Sequence, residues 1–210
     1  MRVSNHFLFV ALLAAVVEAQ GGWSLPHLKS AAVGAAPYAV QSGGIAAYDV
    51  KIDEHGSVTS AEIVQDVQPY GAMLGDDVRG WRFEPARKDG HPAPSRVLVL
   101  GFFRPPELMF AAPEAPKYKS TVAPDEIPWP TAVTVPPYPP NALGSGKVVM
   151  EGDVSDGGAV SAVRVLSPPG AFDGAATQTL QQWRFRPAER GNRDVASRAF
   201  FVFSFVGTTP

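Results

Sequence analysis

Apolar and polar residues alternate along two separate stretches of this chain with the period of a half-buried strand. Ala46, Tyr48, Val50 and Ile52 share one face, and Ala47, Asp49, Lys51 and Asp53 share the other. A turn at Asp53-Glu54-His55-Gly56 leads to a return run in which Ala61 and Ile63 flank Glu62. The pattern predicts a hairpin with one buried face. Further on, Gly146–Val154 reads as a strand, Asp156-Gly157-Gly158 as a turn, and Val160–Leu166 as the return strand, with Val163 and Val165 opposite Arg164.

After each hairpin the period changes. Leu74, Val78 and Trp81 fall at i, i+4 and i+7, as do Ala176, Leu180 and Trp183, which is one stripe of an amphipathic helix. Asp173 is placed to cap the second helix. Pro85 and Pro187, which lack an amide donor, stop any continuation. A final strand follows each helix, at Val97–Phe103 and Ala199–Val206. In the second, Phe201, Phe203 and Phe205 point one way and Phe200 and Val202 the other, so both faces are apolar. Helices of a small module cover one face. The other must be hidden by the sister module, a second copy of the chain, or a partner. A helical segment at Pro139–Leu143 is expected before the first strand of the second unit.

These elements repeat. Trp81-Arg82-Phe83-Glu84-Pro85-Ala86 returns as Trp183-Arg184-Phe185-Arg186-Pro187-Ala188, and Ser95-Arg96 as Ser197-Arg198. Gly44 pairs with Gly146 and Phe103 with Phe205, all at one ungapped offset. Upstream, Pro37-Tyr38 echoes Pro137-Tyr138. Between the units stand prolines 105, 106, 113, 116, 124, 128 and 130, which predict an extended spacer. The organisation read from the chain is a signal peptide (1–19), an N-terminal segment (20–35), a first module (36–104), a proline-rich linker (105–131) and a second module (132–207). The fold class is α+β: two tandem small modules, each a three-stranded antiparallel sheet packed with one or two helices.

Composition adds the compartment. Arg2, the apolar run Phe7–Val17 and the small-x-small site Val17-Glu18-Ala19 form the three parts of a secretory signal. As a helix that run would reach only about 16 Å, half of a bilayer core of about 30 Å. A periplasmic protein is expected. The chain has no cysteine, which removes disulfides and thiolate metal sites, and its net charge of −2 gives no case for nucleic acid.

No catalytic, cofactor or metal constellation is found. His27, His55 and His91 lack a histidine one helical turn away. Gly144-Ser145-Gly146-Lys147 lacks the first glycine and final hydroxyl of a phosphate loop. Asp53 faces Ser155 across the repeat, so the acids are read as turn residues rather than a site. The arginine of the repeated Ser-Arg pair is read as packing.

Pro137-Tyr138-Pro139-Pro140-Asn141-Ala142 opens a series that resembles TonB C-terminal domains. The series continues through the Lys147–Val154 strand, the Asp156-x-Gly158-x-Val160 turn, Trp183-Arg184-Phe185-x-Pro187-Ala188 and the last strand to Phe205. It covers the second module and, with a degenerate opening, the first. The resemblance implies two helices on a three-stranded sheet and no enzymatic activity. It also implies a binding site for an extended peptide, the TonB box of an outer-membrane transporter, along the edge of the last strand. Carried onto this chain, the partner-binding residues are Pro137, Tyr138, Arg198, Phe200, Val202 and Ser204; which edge is free stays open. A signal peptide in place of a membrane anchor points to a soluble peptide- or protein-binding relative rather than an energy transducer. The alternative is an envelope scaffold that pairs its own last strands, within the chain or as a homodimer, with no transporter client.

Overall fold

A computed structural model of the chain describes residues 22–34, 43–104 and 123–207. The signal segment, Pro37-Tyr38 and residues 105–122 of the expected linker lie outside the described residues. The first half runs β1 (Trp23–Ser24), β2 (His27–Ser30), β3 (Gly44–Ile52), β4 (Val58–Gln65), α1 (Tyr70–Arg79), β5 (Arg82–Glu84), β6 (Ala86–Lys88), β7 (His91–Ala93) and β8 (Ser95–Phe103). The second half runs β9 (Trp129–Ala132), β10 (Gly146–Val154), β11 (Val160–Val165), α2 (Asp173–Gln182), β12 (Arg184–Arg186), β13 (Ala188–Glu189), β14 (Asp194–Val195) and β15 (Ser197–Phe205). The described residues form a mixed α+β fold with two helices.

The hairpins form where the turn chemistry directs. Gly56 and Gly158 take φ of +81° and +77°, and a Cβ at either would stand within 2 Å of the Phe83 or Phe185 carbonyl oxygen. The same glycines accept the Phe83 and Phe185 amides at 2.8 and 2.9 Å, so each turn is tied to the chain leaving the helix. Trp81 and Trp183, just past the helix ends, are fully buried. Their indole N–H groups donate to the Ala32 and Thr134 carbonyls, at 3.2 and 3.1 Å.

The principal sheet has six strands in the order β11-β10-β15-β8-β3-β4. Every neighbouring pair is antiparallel except the central one, where β15 and β8 run parallel. Each half supplies a hairpin and a last strand, and the two last strands meet in the middle. The two cores lie on opposite sides of this sheet. One gathers Leu180, Trp183, Phe201, Phe203 and Phe205 around α2, together with Leu98, Leu100 and Phe102 from the first half. The other gathers Leu74, Val78, Trp81, Val97 and Val99 around α1, together with Phe200 and Val202 from the second. Each half therefore covers the face that the other leaves bare.

That arrangement corrects several expectations. The β3 strand does not have one buried face: Ala47 and Asp49 are as inaccessible as Tyr48 and Val50, Ala47 within the core around α2 and Asp49 against Arg96. Pro139–Leu143 is a turn closed by the Ala142 amide on the Pro139 carbonyl at 3.0 Å, and no helix forms there. Asp173 is the first helical residue of α2 rather than its cap, and its carboxylate accepts the Gly170 amide at 2.9 Å. The end of the expected spacer enters the fold: Ile127 and Trp129 are buried, and β9 pairs with β12. The N-terminal segment does the equivalent, β2 pairing with β5. Prolines 128 and 130 do not prevent this, because β9 is a short two-stranded edge rather than a central strand.

Candidate binding surface

The residues expected to meet a foreign segment lie on β15 and just before β10. On β15, the expected free edge is absent. Antiparallel β10 lines one side, with Met150 opposite Phe201 and Val148 opposite Phe203. Parallel β8 lines the other, with Phe200 opposite Val99, Val202 opposite Gly101 and Ser204 opposite Phe103. Phe200, Val202 and Ser204 are buried as a result. A strand apolar on both faces exposes one of them wherever it forms the border of a single module. Here α2 and its core cover one face and the α1 core of the first half covers the other, so neither is exposed. The Phe200 ring meets Phe83 edge-on at 5.1 Å, a contact between the halves.

Tyr138 is half-buried and Pro137 exposed. The Tyr138 hydroxyl donates to the Gly144 carbonyl, and its ring meets Phe172 edge-on at 5.5 Å. Over the same ring, at 5.5 Å, lies the guanidinium of Arg104, the residue that follows β8. Arg104 also donates its backbone amide to the Ser204 carbonyl and its Nε to the Pro136 carbonyl, both at 2.9 Å. The structure thus gathers Tyr138, Ser204 and the end of β8 at one place, and sets Arg198 at the far end of β15.

Arg198 belongs to a charged cluster. Its Nε and second terminal nitrogen grip Asp153 at 2.6 and 3.1 Å, and a terminal nitrogen donates to the Pro26 carbonyl at 3.1 Å. Glu151, nearly inaccessible, receives Arg164 Nε at 2.8 Å and faces His27 Nδ1 at 3.0 Å. In the first half Arg96 grips buried Asp49, with Nε 2.7 Å from one oxygen, and reaches Glu126 at 2.9 Å. The Asp49 carboxylate raises the Arg96 pKa above its usual value, against the opposing effect of burial. Buried acids stand at equivalent strand positions, Asp49 on β3 and Glu151 on β10. The arginine of each Ser-Arg pair is an internal partner for a carboxylate.

Among the described residues the sheet's outer strands are instead β4 and β11, each with one neighbour. Among the described residues no group of three or more His, Asp or Glu side chains could hold a metal ion. Among the same residues no helix is long and apolar enough to cross a membrane.

The unit seen in the second half, a hairpin, a helix and a last strand on one sheet, is a small α+β module. Residues 134–206 match the family described as Gram-negative bacterial TonB protein C-terminal. The chain is also similar to the solution NMR structure of the Pseudomonas aeruginosa TonB CTD. That similarity has 28% identity, covers 40% of this chain and 89% of that one, and has a TM-score of 0.34. No curated protein matches the chain.

Proposed function

We propose that this chain is a non-enzymatic, periplasmic scaffold and binding protein of the TonB C-terminal type, in which the first half is a degenerate second module. In this reading the first half fills, within the chain, the last-strand edge at which such a domain would take a transporter segment. The observation that carries it is the parallel pairing of β15 with β8 from Ala199–Leu98 to Ser204–Phe103. Arg104 extends the occupancy to Tyr138, so strand edge and Tyr-Pro segment are engaged together. Opening that edge would strip water-excluding neighbours from Phe200, Val202, Leu98 and Leu100, all fully or almost fully buried. Burial of each such side chain stabilises by about 1.5 to 3 kcal/mol, more in total than a short peptide's backbone bonds return. A transporter client at this strand is therefore disfavoured, and the protein works as a closed pair of modules.

The test is titration of the full chain with a TonB-box peptide, followed by residue-resolved NMR. The reading predicts no shifts along β15 or β8. Saturable shifts along Ser197–Phe205 with loss of the β8 pairing would overturn it.

A further inference from the structure

With the central strands closed, the outer edges remain, and they differ in charge. Around β4 and α1 stand Asp53, Glu54, Glu62, Asp66, Asp76 and Asp77 against Lys51 and Arg79. At the equivalent places around β11 and α2 the sequence has Asp153, Asp156 and Asp173 against Arg164. The β4 edge also carries Ile63, one of two exposed large apolar side chains among the described residues, at 46%. Ile63 lies beside the first turn of α1, where a Cβ added to Gly71 would come 3.0 Å from Ile63 Cδ1 and 1.8 Å from Asp66 Oδ1. Asp66, Asp76 and Arg79 all act electrostatically on Tyr48 beneath this spot. Lys51 pairs with Glu62 at 3.2 Å, where Arg96 also acts, and Arg79 pairs with Asp76 at 2.9 Å, whereas Asp66 accepts the Gln68 amide and has no ion pair among the described residues.

We infer that the outer edge of β4, Val58–Gln65, is a docking strip for an extended cationic segment of a partner protein. The segment would add a seventh strand, set an apolar side chain against Ile63 and place lysine or arginine beside Asp66. Backbone pairing supplies the registry, the Ile63 contact the local specificity, and the acidic rim the sign selection. The inference concerns a different strand from the closed last-strand edge, so either idea can fail alone.

The experiment uses the full chain and two probes, a short peptide alternating lysine with valine and its glutamate–valine counterpart, read by NMR shift mapping at low ionic strength. The expected result is saturable shifts in Val58–Gln65 and the first turn of α1 with the lysine peptide only, weakening as salt is raised. Ile63→Ser, at an exposed position, is expected to weaken binding about tenfold by removing apolar contact. Asp66→Asn should weaken it by a similar factor. Equal affinity for both peptides, shifts along Val160–Val165, or no binding would overturn the proposal. So would an unchanged affinity in Ile63→Ser, or Val58–Gln65 shifts that follow protein concentration without peptide, which would assign the edge to a second copy. Shifts along Ser197–Phe205 would instead overturn the closed-edge reading.

Discussion

The two halves use the same element order to solve the same packing problem with different residues. In the first, Tyr48 reaches across to α1, donates its hydroxyl to the Gly71 carbonyl at 2.8 Å, and lies over Gly75. The equivalent pair in the second half is Met150 and Thr177, whose hydroxyl stands 3.9 Å from the thioether sulfur. A large side chain on the strand requires none on the helix; a slimmer one leaves room for Thr. Elsewhere the halves agree closely: Tyr70 stacks on Phe103 at 4.0 Å as Phe172 stacks on Phe205 at 4.6 Å. Steric pairs drift together, whereas the stack beside the last strand keeps its form. The ionic wiring diverges further. Asp49 holds Arg96 directly, while Glu151 takes Arg164 at 2.8 Å and stands 3.9 Å from Arg198, which grips Asp153 more closely.

Phe200→Asp breaks the comparison most severely. Phe200 belongs to the second half by sequence but to the α1 core by packing, so a charge there destabilises the whole chain by more than about 4 kcal/mol. Urea denaturation is expected to show one transition lost for both halves. Survival of the first half's near-UV signature would deny that the cores are shared. Next comes Gly75→Thr, which copies the second half's residue into the first. A Cβ at Gly75 would stand 2.3 Å from the Tyr48 hydroxyl oxygen, and the clash should cost about 3 kcal/mol. Adding Tyr48→Met should return about half of that, a coupling measurable by a double-mutant cycle.

A smaller effect separates the ion pairs. Asp49→Asn should cost about 2 kcal/mol, because the carboxylate's side chain is only 2% exposed and Arg96 loses its bidentate partner. Asp153→Asn should cost about 1 kcal/mol, because that carboxylate is wetter and Arg198 keeps the Pro26 carbonyl. Equal losses in thermal unfolding would erase the distinction.

The smallest effect is in pH dependence at the hairpin turns. Asp53 accepts the Ser57 amide at 2.8 Å, and that bond holds its pKa below the usual carboxylate value; Ser155 accepts the Ala159 amide at 3.2 Å without a titrating group. The folded pKa is depressed, so the Asp53 contribution is fully present above the unfolded value of about 4 and is lost as pH falls through the folded one. The stability difference between the wild type and Asp53→Ser should therefore shrink in acid, and that between the wild type and Ser155→Ala should not. Parallel pH profiles for the two variants would contradict this.

Much of the fold was legible because it rests on side-chain pattern. The strand periods, the helix stripes ending at Trp81 and Trp183, and the two-faced β15 all follow from residue type. That β15 needed a second cover was readable too, but which body supplies it was not, since periodicity along one strand is silent about its neighbours. The segments before each hairpin were missed because they are held through backbone: the indoles bond to the carbonyls of Ala32 and Thr134, which any residue could provide. Ile127 and Trp129 did offer a signal, as large apolar residues amid prolines, but prolines suggested a spacer. Of the residues expected to meet a partner, Phe200, Val202 and Ser204 lie on β15 as buried side chains and Arg198 is tied to Asp153. A strand's edge is a property of its neighbours.

Amide hydrogen exchange of the full chain tests the central pairing most directly. If β15 and β8 close each other, the amides of Ser197–Phe205 and Ser95–Phe103 exchange only through global unfolding, while Val58–Gln65 and Val160–Val165 exchange faster through local opening. Rapid exchange of alternate amides along Ser197–Phe205, without global unfolding, would show that strand to be an open edge and contradict the account.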